Sequence, residues 1–271
     1  MHKNRIYRAF VIIVLLSLIF SSIAVGAVTA YTIDTDNVNQ GTVTIHYENV
    51  NNKKLKVIIQ KGEAKYTYNL GKGIGSEVFP LQMGDGAYTV TVLENVNGNQ
   101  YRAVATKTLT VKMHNSKDVY LQSVQMIKWD KNDQAVQKAK KLTEGIQNDE
   151  DKVKVIYEYI VNNYSYDHDK INNLDYDYLP DINSTLESQK GICYDFSALF
   201  ASMCRSVGIP AKLVKGYGDK IQGYHAWNEV FIESTGKWMI LDTSFDSQMR
   251  SNNQSFAMFK DNGSYEKVNE Y

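Results

Sequence analysis

The chain has 271 residues and carries 30 Lys and Arg side chains against 30 Asp and Glu side chains, so its formal net charge is zero. That balance removes the usual electrostatic argument for nucleic-acid binding, because neutralising phosphates requires a basic surface. Hydrophobic residues make up 43% of the chain, which is enough for a packed core, and two cysteines are too few for a disulfide-stapled fold. The five histidines form no HExxH pattern and the cysteines no CxxC pattern, so the sequence predicts neither a metal site nor a cofactor.

Residues 1–30 have the composition of a leader. Basic residues precede an uncharged apolar run, 9–20, and small residues follow, ending at Ala30. This order is typical of a signal peptide, which we expect to be cleaved after Ala30. Because the stretch 9–28 also reaches the roughly 20 residues that span a bilayer, an uncleaved membrane anchor is the alternative. Both interpretations predict that residues 31–271 are secreted or lie at the cell surface, with membrane contact only if the leader is retained.

Residues 31–113 contain short β-branched and aromatic runs that predict strands, separated by turn clusters. Asn97-Gly98 lies between two such runs and is a strong hairpin signal. Six or seven short strands in a segment of this length, about 85 residues, favour a small β-sandwich of immunoglobulin-like type. No residue group in this domain has chemical meaning, so we interpret it as a spacer or adhesive module.

The apolar spacing changes to that of helices beyond a predicted linker, 114–132, and this predicts a second domain over 133–271. One helical stripe is predicted over 135–146 and another over 153–161. Residues 164–190 are polar and rich in Tyr and Asp, and they predict a long ordered loop.

Cys193 is placed at the start of a predicted helix. The apolar residues that follow it recur at helical spacing and predict a buried face: Phe196, Leu199, Phe200, Met203, Cys204 and Val207. Free backbone N–H groups and the helix dipole stabilise a thiolate at such a position, so we expect a lowered thiol pKa and donors for an oxyanion. A plain buried cysteine is the alternative, and it is the role that we assign to Cys204. About 16 Å of helix separates the two cysteines, which excludes a disulfide between them.

A hairpin is predicted from strands 225–232 and 237–242. Its register pairs Asp242 with Trp227, which makes His225 and Asp242 diagonal neighbours on one face, with Cα atoms about 7–8 Å apart. A slip by one residue would place them on opposite faces. Taken alone, His225 is typical of a core histidine whose hydrogen bonds are satisfied. Taken alone, Asp242 is typical of an acid in the turn at the end of a strand. Together, downstream of a helix-start cysteine, they predict a Cys-His-Asp triad.

Four segments resemble the core of the transglutaminase-like superfamily, which has a papain-like fold. They are Gly-Ile-Cys-Tyr-Asp-Phe-Ser-Ala-Leu-Phe, Gly-Ile-Pro-Ala, Tyr-His-Ala-Trp-Asn-Glu-Val and Trp-Met-Ile-Leu-Asp-Thr-Ser. The resemblance covers roughly residues 135–245 and includes the order of a helix cysteine, a strand histidine and a strand aspartate. The predicted β-sandwich and residues 246–271 lie outside it. The chain is thus similar to an exported, bacterial-type member of this superfamily, and the expected fold class is α+β, with the sandwich preceding a transglutaminase-like domain.

The resemblance implies that Cys193 is the nucleophile, that His225 acts as general base and then as general acid, and that Asp242 orients the histidine. It implies acyl chemistry on amide bonds of proteins or peptides, seen as cross-linking, deamidation or proteolysis. Its members also include proteins that have lost activity, so a silent scaffold or a cell-surface binding module is the alternative. The expected location suggests protein or cell-wall peptide substrates. The oligomeric state is not indicated.

Four further residues are candidates for secondary roles near this triad. Trp227, two residues past the predicted histidine on the same face, is a candidate wall of the acyl site, with core packing as an equal alternative. Gln189 and Tyr166 are candidate oxyanion donors. Asp195 is sufficiently explained as an acid in the first helical turn, where the helix dipole favours it.

Overall fold

The computed structural model describes residues 31–271. The predicted leader, residues 1–30, and its predicted cleavage lie outside the described residues. Within the described part of the chain, no helix combines the length and the apolarity that a membrane crossing requires.

Residues 31–113 form seven strands in two antiparallel sheets. The strands are β1 (Thr32–Asp34), β2 (Thr42–Asn49), β3 (Leu55–Lys61), β4 (Ala64–Leu70), β5 (Gly73–Pro80), β6 (Gly86–Asn97) and β7 (Gln100–Val111). One sheet has the order β1-β2-β5 and the other the order β4-β3-β6-β7. The hairpin predicted at Asn97-Gly98 joins β6 to β7, with Asn97 paired to Gln100.

Alternate side chains of β2 and β3 point inward, as expected for strands with one buried face. Val43, Ile45 and Tyr47 of β2 are buried, and so are Val57 and Ile59 of β3. All five belong to one cluster of core residues, so both sheets contribute to the same core. The immunoglobulin-like type of the expected β-sandwich stays a prediction.

The predicted linker, 114–132, is packed against both halves of the chain. A short 3-10 helix within it buries Tyr120, whose hydroxyl donates a hydrogen bond to Glu270 near the C-terminus. The backbone N–H of Gln125 donates to the carbonyl oxygen of Val78 in β5 at 2.8 Å. This segment therefore connects the N-terminal sheets to the C-terminal part, while the domain boundaries themselves stay a prediction.

Residues 133–271 combine five helices with six strands. The helices are α1 (Gln134–Leu142), α2 (Asp149–Asn163), α3 (Ile182–Ser188), α4 (Cys193–Ser206) and α5 (Thr243–Ser251). The strands are β8 (Ser165–Tyr166), β9 (Lys190–Gly191), β10 (Ala211–Gly218), β11 (His225–Ile232), β12 (Lys237–Leu241) and β13 (Tyr265–Glu270). The main sheet has the antiparallel order β12-β11-β10-β13, and β8 and β9 form a short parallel pair. This mixture of helices and sheets agrees with the expected α+β class.

Residues 164–190 are more regular than the single long loop that the sequence predicted, and that prediction is wrong. The segment contains β8, a 3-10 helix at Lys170–Asn173, α3 and β9. The side chain of Asp181 caps α3 by accepting a hydrogen bond from the backbone N–H of Ser184 at 2.7 Å. A helix of seven residues is too short to show an apolar period, so this cap was the only signal of its start.

Helix α4 lies at the centre of the C-terminal part. Its residues 193–205 are all buried except Tyr194, which confirms the predicted buried helical face except at Val207, the half-buried C-cap of α4. Near its end, the guanidinium of Arg205 donates to the carbonyl oxygens of Ala211 at 2.8 Å and Tyr271 at 2.9 Å. These bonds hold the C-terminal end of α4 against β10 and the end of the chain. The opposite end of the same helix carries Cys193.

Candidate active site

Cys193 is the first residue of α4, where the sequence placed it. It is buried but keeps 8% of its surface exposed, whereas Cys204 in the middle of the same helix is fully buried. Neither cysteine is in a disulfide. Burial raises the pKa of the Cys204 thiol well above its ordinary value. The position of Cys193 therefore suits a nucleophile, and that of Cys204 suits packing.

His225 and Asp242 are brought together by the hairpin of β11 and β12. The strands pair Asn228 with Leu241, which is the register that the sequence predicted. Nε2 of His225 lies 2.7 Å from Oδ2 of Asp242. Asp242 follows the last residue of β12 rather than ending the strand as predicted, and it is the N-cap of α5.

Asp242 is held from several directions. Its Oδ1 accepts a hydrogen bond from the backbone N–H of Phe245 at 3.0 Å and from the hydroxyl of Ser244 at 3.0 Å. Its Oδ2 accepts a second bond from the hydroxyl of Tyr265 at 3.0 Å, in addition to His225. Burial raises the pKa of Asp242, but the charge and hydrogen bond of His225 and the other donors lower it below its ordinary value. The carboxylate is therefore ionised and fixed in orientation.

The environment of His225 favours its protonated form. Burial on its own lowers the pKa, but the charge and hydrogen bond of Asp242, together with a hydrogen bond and charge from Cys193, raise it to about 10. Because Nε2 contacts Asp242, Nδ1 is the ring nitrogen left to exchange a proton with the sulfur. At neutral pH this arrangement favours an imidazolium beside Cys193.

Tyr166 lies against the nucleophile, as one of the two candidate oxyanion donors. β8 pairs Tyr166 with Gly191, two residues before Cys193. Burial raises the pKa of Tyr166 to about 12, with a contribution from the charge and side-chain hydrogen bond of Cys193, while a hydrogen bond to the Cys193 backbone lowers it. Gln189, the other candidate, ends α3 in a left-handed conformation with φ of 50° and is exposed. The geometry thus brings Tyr166, and not the exposed Gln189, to the sulfur.

Trp227 is only 1% exposed and packs behind the histidine. Its ring lies parallel to that of His225, with centroids 6.4 Å apart, and 5.0 Å from the ring of Tyr265. Gly216 on β10 allows this packing, because a Cβ there would lie 2.8 Å from Trp227 and 2.0 Å from the carbonyl oxygen of Glu266. The burial favours the packing alternative for Trp227 over an accessible wall of the acyl site.

Asp195 lies in the first turn of α4 as expected, but the sequence did not predict its burial or its side-chain partners. It is fully buried, and its Oδ2 accepts from Nζ of Lys170 at 2.7 Å and from the backbone N–H of Ile192 at 2.9 Å. Its Oδ1 accepts from the hydroxyl of Tyr178. These bonds fasten the first turn of α4 to the segment before α3. An acid at the third helical position was the available signal, since it is where a capping residue reaches back to the N-cap N–H.

Residues 31–271 contain no group of three or more His, Cys, Asp and Glu side chains arranged to hold a metal ion. What the site does offer is a thiol at a helix N-terminus, an imidazole beside it and a carboxylate behind the imidazole. This order of groups is the one that nucleophilic catalysis by cysteine requires.

The profile of the transglutaminase-like superfamily matches residues 136–243, a segment that contains Cys193, His225 and Asp242. This segment is similar to the transglutaminase-like superfamily. The resemblance inferred from the sequence motifs is thereby confirmed. The match covers less than half of the chain, and residues 31–135 lie outside it.

Individual relatives match short parts of the chain. The peptide-N(4)-(N-acetyl-beta-glucosaminyl)asparagine amidase of Oryza sativa subsp. japonica is 39% identical over 57 residues, which are 21% of this chain and 12% of the amidase. The kyphoscoliosis peptidase of Homo sapiens is 35% identical over 72 residues, 23% of this chain and 11% of the peptidase. The chain thus spans about an eighth of these relatives or less. Among solved structures, a candidate cysteine protease from Cytophaga hutchinsonii aligns with 85% of this chain and 87% of its own, at 16% identity and a TM-score of 0.43.

Proposed function

We propose that this protein is a cysteine-dependent enzyme that opens amide bonds of proteins or peptides through a thioester on Cys193. The observation that carries the proposal is the 2.7 Å contact between Asp242 and His225, whose pKa is raised in part by the thiol of Cys193 at the start of α4. Two relatives of the matched segment are, by name, an amidase and a peptidase, which supports chemistry at a carbonyl–nitrogen bond.

In the first half of the reaction the Cys193 thiolate attacks the amide carbonyl carbon and forms the Sγ–C bond. The oxygen takes up negative charge opposite the free N–H groups of the first turn of α4, with the Tyr166 hydroxyl nearby. His225 then gives its Nδ1 proton to the amide nitrogen, and the C–N bond breaks. The products are an amine, a neutral imidazole and a thioester.

In the second half, His225 accepts a proton from a water molecule or an amine as that nucleophile attacks the thioester carbonyl. The C–S bond breaks and leaves a thiolate beside a protonated imidazole, which restores the starting state. Asp242 keeps its negative charge throughout and stabilises the imidazolium each time it forms. Water as the acceptor makes the protein a hydrolase, and an amine makes it a transferase.

We further propose that the enzyme acts outside the cytoplasm, on proteins or cell-wall peptides. The support is the order of charged, apolar and small residues over 1–30, which is typical of an export signal. The N-terminal sheets then serve as the module that meets the substrate or the surface, as the spacer or adhesive interpretation of 31–113 suggested.

Product analysis tests the proposal. The purified protein is incubated with a library of glutamine-containing peptides, with and without a fluorescent primary amine, and the products are identified by mass spectrometry. Amine adducts indicate a transferase, deamidation an amidase, and cleavage a peptidase, and each must vanish in Cys193→Ala. The matched control is Cys204→Ala, which retains turnover if it folds. Turnover that survives in Cys193→Ala, or its absence from the wild-type protein under all conditions, contradicts the proposal and favours a silent scaffold.

A further inference from the structure

Lys215 carries a charge that the site just described does not use. It lies on β10 opposite Ala226, one residue before Gly216, which pairs with His225. Its Nζ lies 3.6 Å from the ring centroid of Tyr194 and 5.7 Å from that of Tyr271. Within residues 31–271, no Asp or Glu oxygen forms an ion pair with this ammonium.

Other well-covered lysines of the same part of the chain have carboxylate partners. Nζ of Lys212, three residues before Lys215 on β10, lies 3.0 Å from Glu270. Nζ of Lys260 lies 2.5 Å from Asp246. Taking an ammonium out of water without a counter-charge is unfavourable. A lysine that is partly removed from water and has no carboxylate partner therefore requires an explanation. Burial lowers the pKa of Lys215 to about 8, although the charge of Cys193 opposes this.

The ammonium faces a cavity of about 210 Å³ between the two halves of the chain. Lys215 and Tyr194 line its side next to the nucleophile, since Tyr194 directly follows Cys193. Strand β4 contributes Tyr68 and Asn69 to the facing wall, and the segment before α3 contributes Tyr178. The N-terminal sheets therefore help to enclose a space that is lined by Tyr194, the residue after Cys193.

Glu77, the half-buried acid that lines the cavity, already accepts hydrogen bonds from the protein. Oε1 of Glu77 accepts hydrogen bonds from the hydroxyl of Tyr47 at 2.6 Å and the backbone N–H of Gly71 at 3.0 Å, and Oε2 accepts from the amide of Gln125. Asp177, the other acid lining the cavity, is exposed. Among the described residues that line the cavity, none supplies a carboxylate that pairs with Lys215. Its ammonium is therefore available to bind a ligand.

We propose that this cavity is a substrate subsite in which Lys215 binds a carboxylate close to the reacting amide. The proposal rests on the proposed function, because it assigns the substrate class of the same site. An ammonium in a partly desolvated wall of tyrosines binds an anion more strongly than one in open water, and a peptide supplies carboxylates either from an acidic side chain or from its C-terminus. The enzyme therefore selects acidic peptides, or peptide ends, over neutral ones.

Peptide binding to Cys193→Ala tests this subsite without turnover. The probes are three N-acetylated pentapeptides. The first has Glu beside a central Gln and an amidated C-terminus, the second has Gln in place of that Glu and is also amidated, and the third has the sequence of the second with a free C-terminal carboxylate. We expect at least about tenfold tighter binding of one of the two acidic probes than of the neutral amidated probe, with the preference weakening in high salt. Which acidic probe binds distinguishes a side-chain from a terminal carboxylate.

The variant Lys215→Met keeps the length of the side chain and removes its charge. Added to Cys193→Ala, it should abolish the preference, whereas the matched control Lys220→Met, an exposed lysine just after β10, should leave it intact. Because a half-buried charge without a carboxylate partner is removed, the unfolding midpoint of Lys215→Met should equal or exceed that of the wild type. Equal binding of acidic and neutral peptides by Cys193→Ala, or a preference that persists in Lys215→Met, would overturn the proposal.

The two proposals fail in different ways. If Cys193→Ala shows the charge preference but the wild-type protein turns over none of these peptides, the subsite stands and the enzymatic function fails. If turnover occurs but is indifferent to the carboxylates, the function stands and the subsite fails. Alkylation of Cys193 by iodoacetamide, a neutral reagent, should change less than about twofold in Lys215→Met. A larger decrease would show instead that Lys215 stabilises the Cys193 thiolate.

Discussion

Replacing Asp242 by asparagine separates the charge of this residue from its structural role. The side-chain oxygen of asparagine can still accept the hydrogen bond from the backbone N–H of Phe245, and asparagine is as good an N-cap as aspartate. Asp242→Ala would remove the cap of α5 as well and cost about 1 kcal/mol of folding stability. Asp242→Asn therefore removes the counter-charge of His225 while it leaves the start of α5 in place.

The size of the effect follows from the surroundings of His225. Raising its pKa from 6.5 to about 10 corresponds to a preference of about 5 kcal/mol for the imidazolium. Without the charge of Asp242, burial opposes protonation and the pKa should fall to 6.5 or below. At pH 8 the protonated fraction would then drop from about 99% to about 3%. We expect kcat/KM at that pH to fall by about 30-fold or more, in proportion to the protonated fraction.

The pKa of His225 is measured by NMR titration of histidine-labelled protein. The signal is assigned by its absence from His225→Gln, since the chain contains five histidines. In the wild type the imidazolium should persist as pH rises until about 10, and in Asp242→Asn it should be lost near or below pH 6.5. Tyr265→Phe is the matched control, because it removes the other side-chain donor to the same carboxylate oxygen and keeps the charge. Its His225 should still titrate well above 6.5.

The same titration can refute the electrostatic argument. If His225 loses its proton near pH 6.5 in both the wild type and Asp242→Asn, the carboxylate does not control the imidazole. Equal turnover of the two proteins at pH 8 would show in addition that the imidazolium is not the form that acts.

Three further substitutions test the supports of the site. Gly216→Ala should destabilise the fold by about 2 kcal/mol in urea denaturation, because the new Cβ would lie 2.0 Å from a backbone oxygen. Gly263→Ala is the control and should not destabilise the fold, because the atom nearest to its Cβ would be 3.6 Å away. Asp195→Ala should lower the free energy of unfolding by about 3 kcal/mol, since it leaves buried donors without an acceptor. Asp169→Ala, at an exposed position, should leave the free energy of unfolding almost unchanged. Equal losses in the two variants would contradict a stabilising role for the hydrogen bonds of Asp195. Tyr166→Phe should lower kcat by about tenfold to 100-fold with KM and the unfolding midpoint unchanged, and an unchanged kcat would exclude it as an oxyanion donor.

The contact between His225 and Asp242 was predictable because it is local. The two residues lie 17 positions apart on a hairpin whose turn sets the register, and the alternation of side chains then decides which face each occupies. The helix that begins at Cys193 was predictable for a similar reason, since its apolar period is unbroken. What local patterns could not show was that Asp242 belongs to the start of α5, because the segment after it has no clear period.

The features that the sequence did not reveal depend on residues distant in the chain. Asp195 is buried because Lys170 and Tyr178, 25 and 17 positions earlier, fold over it. The environment of Lys215 is set by Tyr194 and by Tyr271, the last residue. Such charges look like ordinary surface residues in a linear pattern. Only the packing of separate segments decides whether each has a partner.

Site-resolved alkylation of the native protein tests the central claim most directly. The protein is treated with iodoacetamide between pH 5 and pH 9, because thiols and imidazoles titrate in this range. The alkylated fraction of each cysteine is measured by peptide mass spectrometry. Cys204, fully buried and with a raised pKa, is the internal control. We predict that Cys193 reacts at least about 100-fold faster than Cys204 at pH 7 and loses this advantage in His225→Gln. Equal, slow labelling of both cysteines in the folded protein would contradict a nucleophilic Cys193.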